Sequence, residues 1–102
     1  MTLISTSKIK KHLVVLNKWS YENNSLCRQY KFQSYLDGIN FVMELAKLSE
    51  KKNHHPDIII GWCNVEVKFT SHDLGGVSKK YLELSKLSDE LFKVYDLSLI
   101  HI

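Results

Sequence analysis

The chain has 102 residues, 44% of them hydrophobic and 25% charged, with a net charge of +3, the make-up of a single soluble globular domain with no room for a second core. Its lysines come as scattered pairs, Lys10-Lys11, Lys51-Lys52 and Lys79-Lys80, rather than as a dense basic run, so no direct nucleic-acid partner is expected. No apolar run approaches the roughly 20 residues that cross a bilayer, no targeting leader is read at the start, and Cys27 and Cys63 lack metal or disulfide spacing; a cytoplasmic protein with reduced thiols is expected.

In chain order, Ser5-Thr6-Ser7 offers capping hydroxyls, and Ile9, Leu13 and Leu16 recur at helical spacing. A first helix is predicted from Lys8 to Leu16, with Lys10, Lys11 and His12 toward water. Trp19 to Glu22 and Leu26 to Phe32 flank Asn23-Asn24, a turn pair, and read as a two-stranded hairpin. Leu26, Tyr30 and Phe32 share the apolar face of the second strand, and Arg28 lies on that face with no partner evident. Ser34 and Asp37 have capping-box spacing and open a second helix, Tyr35 to Lys51. Its inward stripe is predicted as Ile39, Val42, Ala46 and Ser49, flanked by Phe41, Leu45 and Leu48.

Pro56 biases His55 toward extended backbone. Ile58-Ile59-Ile60 is a β-branched run stopped by Gly61, and Cys63, Val65, Val67 and Phe69 alternate with polar residues as a further strand ending at Thr70-Ser71. After a loop with Gly75 and Gly76, Ser78 caps a third helix reaching about Val94, with Leu84, Leu87 and Leu91 inward. The order is α-β-β-α-β-β-α. The economical packing is an α+β domain, a four-stranded antiparallel sheet with the helices on one face. This single domain is expected to occupy 1–102, with the apolar tail 97–102 unassigned.

Three of the five histidines fall in Asn53-His54-His55-Pro56 and Ser71-His72. Imidazoles both give and take protons near neutrality. Antiparallel pairing of the third and fourth strands brings the two segments to one end of the sheet. Three imidazoles and a water would suit a catalytic zinc, but no helical i,i+4 pair is present and adjacent extended residues chelate one ion poorly, so no metal is expected. No phosphate loop and no G-x-S-x-G elbow occurs. Cys63 with His72 imitates a thiol–imidazole pair, yet Cys63 belongs to the inward face of its strand, where packing is the expected role.

Glu50-x-x-x-His54-His55-Pro56, with Trp62 and His72 following at set intervals, resembles the signature of the pterin-4a-carbinolamine dehydratases. Trp19, Arg28-x-Tyr30-x-Phe32 and Gly75-Gly76-Val77-Ser78 extend the resemblance over about Ile9 to Leu91. It implies a lyase that dehydrates 4a-hydroxytetrahydropterin to quinonoid dihydropterin during tetrahydrobiopterin recycling, by histidine acid/base chemistry. His54, His55 and His72 would be catalytic, with His54 and His72 the principal proton-transfer pair and His55 assisting. Glu50, Asn53, Thr70 and Ser71, with the three histidines, would border the pterin, which is substrate, so no cofactor is implied. A homodimer or homotetramer is implied too. Some family members also bind a transcription factor through their helical surface, which would add a nuclear location; Phe41, Leu45 and Leu48 are the residues expected to form such a face. Two positions depart from the family pattern. Asn53 stands where an acid often precedes the histidines, and Tyr81 where the last helix usually carries an aspartate, with Asp89 one residue beyond that spacing. On this reading Tyr81→Asp leaves the fold intact and turnover undiminished.

Overall fold

The computed structural model describes residues 3–70 and 77–96. Helix α1 (Thr6–Val15) leads into β1 (Ser20–Glu22) and β2 (Ser25–Lys31), then α2 (Tyr35–Lys52), β3 (Asp57–Ile60), β4 (Asn64–Phe69) and α3 (Lys79–Phe92). The α-β-β-α-β-β-α order is the expected one. The strands form one antiparallel sheet in the order β1-β2-β4-β3.

Local chemistry sets the boundaries. Ser5 Oγ accepts from the Lys8 amide, which starts α1 two residues earlier than its apolar spacing suggests. Asn23 and Asn24 both take positive φ, 50° and 61°, the geometry a two-residue hairpin turn requires and that asparagine tolerates. Ser34 Oγ accepts from the Asp37 amide and opens α2. At the other end Asn53, φ 53°, closes α2 in the left-handed region. Its amide donates to the Glu50 carbonyl, and the His54 amide donates to Ser49 at 3.1 Å. These are the paired bonds of a Schellman turn.

Alternation puts Leu26, Tyr30, Val65, Val67 and Phe69 under the helices, all with no exposed surface. The register pairs Leu26 with Phe69, Tyr30 with Val65 and Ile58 with Val67. Cys27, Gln29, Glu66 and Lys68 occupy the opposite face.

Two expected helix faces need correction. The buried line of α2 is Gly38, Phe41, Leu45 and Ser49, whereas Ala46 is exposed and Ile39 and Val42 are half-buried. Apolar residues cover more than half the circumference of this helix, so periodicity alone leaves its rotation open. The fit to the sheet decides it: a Cβ on Gly38 would stand 3.3 Å from Val65 Cγ2, and Ser49 hides its hydroxyl by donating to the Leu45 carbonyl. On α3, Leu84 is buried as expected, but Leu87 and Leu91 are only half-buried; Tyr81, Ser85, Ser88 and Phe92 complete the inward line.

Arg28 finds its partner on α3. Its Nη1 lies 2.7 Å from Asp89 Oδ1, and the guanidinium sits over the Tyr30 ring at 4.2 Å. The same carboxylate accepts from Trp19 Nε1 and from the Tyr30 hydroxyl, with Ser88 Oγ 2.9 Å from that hydroxyl. One acid thus ties the segment after α1, strand β2 and helix α3 together. Burial and the adjacent carboxylate push the Tyr30 phenol far above its ordinary value, which keeps it a donor.

Candidate active site

The Schellman turn that ends α2 also aims the histidines. Asn53 turns the chain left-handed, and Pro56 holds the next residues extended as they enter β3. In such a segment neighbouring side chains diverge. His54 goes to α3, its ring edge-on to Tyr81 at 5.4 Å, and His55 goes back to Glu50, with Nε2 at 2.5 Å from Oε2.

His54 Nδ1 is 2.8 Å from the Lys52 carbonyl. A carbonyl only accepts, so Nδ1 carries the proton, and in the neutral ring the lone pair lies on Nε2. That nitrogen has no hydrogen-bond partner among the described residues. At His55 the roles differ: Nε2 donates to the carboxylate, and both groups are largely exposed.

Tyr81 is buried against His54. Its ring packs on Phe69 at 5.3 Å as well as on His54. Burial, with the Asp57 charge in second place, pushes its phenol above the ordinary value. The aromatic wall that supports His54 therefore stays neutral. Lys52 reaches Glu83 at 3.3 Å and closes the end of α2 onto the first turns of α3.

Thr70 leaves β4 at this same end of the sheet, and its hydroxyl donates to the Asn24 carbonyl in the β1–β2 turn at 2.9 Å. The expected residues Glu50, Asn53, His54 and His55 are thus gathered where α2 passes into β3, while Thr70 lies at the same end of the sheet with its hydroxyl turned to Asn24. Ser71 and His72 lie outside the described residues. Asn53 acts through its backbone, as the left-handed residue of the turn. That position suits asparagine and accounts for its presence beside the histidines.

Two residues gain importance that sequence alone did not give them. Asp89 answers Arg28; an arginine on the apolar face of a strand calls for an acid on whatever helix covers it, and only packing identifies which. Tyr81 is a packed wall rather than an exposed substitute for an acid, so the expectation that Tyr81→Asp is harmless to the fold is corrected: the change would bury a carboxylate against Phe69.

A small antiparallel sheet with helices on one face, carrying a turn-anchored histidine pair beside a carboxylate, defines a class of α+β domains. The sequence profile of the pterin 4 alpha carbinolamine dehydratases matches residues 2–91, and the chain belongs to that family. It is 40% identical over 73 residues to a protein of Natronomonas pharaonis provisionally named a pterin-4-alpha-carbinolamine dehydratase, covering 72% of this chain and 79% of the relative. A Picosynechococcus relative with the same provisional name is 34% identical over 90 residues, 88% of this chain and 98% of its own length. Among solved structures, a transcriptional coactivator/pterin dehydratase from Brucella Melitensis superposes with a TM-score of 0.83 at 21% identity, over 88% of this chain and 98% of that one. A pterin dehydratase-like RuBisCO assembly factor of the alpha-carboxysome gives 0.60 at 24% identity, over 72% and 84%. At those identities the two structures speak to the fold alone.

Proposed function

We propose that this protein dehydrates 4a-hydroxytetrahydropterin to quinonoid dihydropterin. The observation that carries the reading is His54, held by its Nδ1 proton on the Lys52 carbonyl with Nε2 unspent among the described residues, beside His55 on Glu50. The reaction needs two proton transfers and no change of oxidation state. A base takes the proton from the ring nitrogen next to the carbinol carbon. The lone pair forms the carbon–nitrogen double bond, the carbon–oxygen bond breaks, and an acid protonates the departing hydroxyl to water. His54 Nε2 is the base in this scheme and His72 its acid partner, with His55 assisting; Glu50 holds the His55 ring by accepting its Nε2 proton. Each positioned transfer group contributes typically about 10² to 10⁴ in rate.

The protein acts as a homo-oligomer in this proposal. Strand β3 is a sheet edge bearing Ile59, 63% exposed, and is followed by Trp62, 81% exposed. An apolar edge strand of this kind pairs readily with a second copy.

A hydroxylase that releases the 4a-carbinolamine supplies the test. Quinonoid formation is followed with and without the protein, then with His54→Ala and His72→Ala. Acceleration by the wild-type protein and loss of at least about a hundredfold in each variant are expected. No acceleration would overturn the function, and acceleration unchanged in both variants would overturn the assignment of the residues.

A second reading is an interaction module of the coactivator type, the role for which the Brucella protein is named. Phe41 and Leu45 do not form its surface, because both are wholly buried in the core and Leu48 packs against it. Exposed apolar residues do exist on α2, at Leu36 and Met43, one heptad apart, and these would carry any such contact.

A further inference from the structure

Two helices begin side by side with nothing negative in their first turns. Leu3 bridges Ser78 in antiparallel fashion and the Ile4 amide donates to the Val77 carbonyl at 2.8 Å, which sets the start of α1 against the start of α3. Neither helix has an acid in its first turn, so the positive ends of both macrodipoles are uncompensated. The cleft between the helices, about 1150 Å³, is lined by Lys8 and Lys11 from one side and Lys79 and Lys86 from the other. None of these four lysines pairs with a carboxylate among the described residues. Glu83 is the one acid among the described residues of the lining, and Lys52 and Lys80 already share it. Leu3, Ile4 and Leu82 supply an apolar lining between the cations. At the cap of α3, Ser78 makes no side-chain capping bond and its buried hydroxyl has no partner among the described residues.

We propose that this cleft docks an acidic peptide segment of a partner protein, with carboxylates on Lys8, Lys11, Lys79 and Lys86 and an apolar side chain on Leu3, Ile4 and Leu82. The cations are spread along two helices instead of converging on a point, which suits a chain of spaced carboxylates better than a single small anion. Among the described residues no aromatic platform other than His12 lines the cleft, whereas single-stranded nucleic acid stacks its bases on such platforms. A second copy of this chain is a poor occupant. It carries the same net charge of +3, so like charges oppose its docking on a cationic cleft. The docking surface shares no lining residue with the histidine pair and does not depend on the dehydratase reading.

Fluorescence anisotropy with a labelled peptide alternating glutamates and leucines tests the proposal on the full chain. Saturable binding is expected, reversed by salt, and Lys8→Glu/Lys86→Glu should weaken it at least about tenfold through like-charge repulsion. Lys11→Glu/Lys79→Glu should do the same, and thermal unfolding checks that both variants fold. Lys10→Glu/Lys47→Glu changes net charge equally outside the cleft and should stay within about twofold. Absence of binding, or equal weakening by the control pair, would overturn the proposal. Equally tight binding of a leucine-free polyglutamate would overturn the apolar part. Displacement by inorganic phosphate at the same concentration would reassign the cleft to small anions, and tighter binding of an RNA homopolymer lost in the same variants would reassign it to nucleic acid.

Discussion

At Asn53 a single backbone conformation, φ 53°, both ends a helix and points two imidazoles. Glycine adopts that conformation freely and asparagine readily, whereas a β-branched residue resists it. Asn53→Gly should therefore leave urea stability within about 0.5 kcal/mol, while Asn53→Val should lose about 1–2 kcal/mol and, on the proposed function, lower turnover further because His54 is re-aimed. Tyr81 is the second such residue. Its burial between Phe69 and His54 means that Tyr81→Asp should cost about 3 kcal/mol or more, the scale of emptying a buried aromatic site, whereas Tyr81→Phe should fold like the wild type. Chemical denaturation of the two variants separates packing from any acidic role at this position. The placing of His54 and His55 between α2 and β3 was legible from residue type and spacing, and Glu50 was named by the family resemblance. The tautomer of His54 was not, because it depends on a carbonyl that only the folded turn brings to 2.8 Å.

Elements are joined by the Asp89 carboxylate, which accepts from Arg28, Trp19 and Tyr30 at once. Removing it strands a largely buried guanidinium and two donors, so Asp89→Ala should destabilise by about 3–5 kcal/mol, measured by equilibrium unfolding. The hydrogen-bonding of tyrosines across elements also shapes the alkaline limit. Tyr95 donates to Glu44 of α2 at 2.8 Å, and burial first, then that carboxylate, raises its phenol to about 12. Tyr30 and Tyr81 are raised as well. Since the folded values exceed the unfolded value near 10, the stability linked to these phenols is complete below about pH 10 and is lost as pH rises toward the folded values. The urea midpoint should fall between about pH 10 and pH 12, and Tyr95→Phe should make that fall shallower. Helix rotations were the least legible feature at this scale. Both α2 and α3 carry more apolar residues than one face can bury, and close packing decides among them: α2 meets the sheet at Gly38, where a Cβ would stand 3.3 Å from Val65 Cγ2.

For the whole molecule, the exposed β3 edge and Trp62 are where the proposed oligomer, a particle heavier than the 11.9 kDa chain, is tested. Light scattering after size exclusion should give at least a dimer on the proposed reading, and Ile59→Lys/Trp62→Lys should shift it to monomer, since charge on an edge strand blocks pairing. A monomeric wild-type protein would remove β3 as the oligomer edge. The same measurement across salt concentrations separates this apolar contact from the cationic cleft between α1 and α3, whose proposed contacts weaken as salt rises.

The sequence by itself determined the element order, the antiparallel sheet, the hairpin turn at Asn23-Asn24 and the family, because periodicity, caps and motif spacing are local or depend on fixed intervals along the chain. Tertiary structure decided which face each helix buries, that Asp89 is the partner of Arg28, and that Tyr81 supports His54. It also set the starts of α1 and α3 together beside a cleft lined by lysines. Each of these rests on which side chains from distant segments fit and neutralise one another, and that is settled only when the layers close.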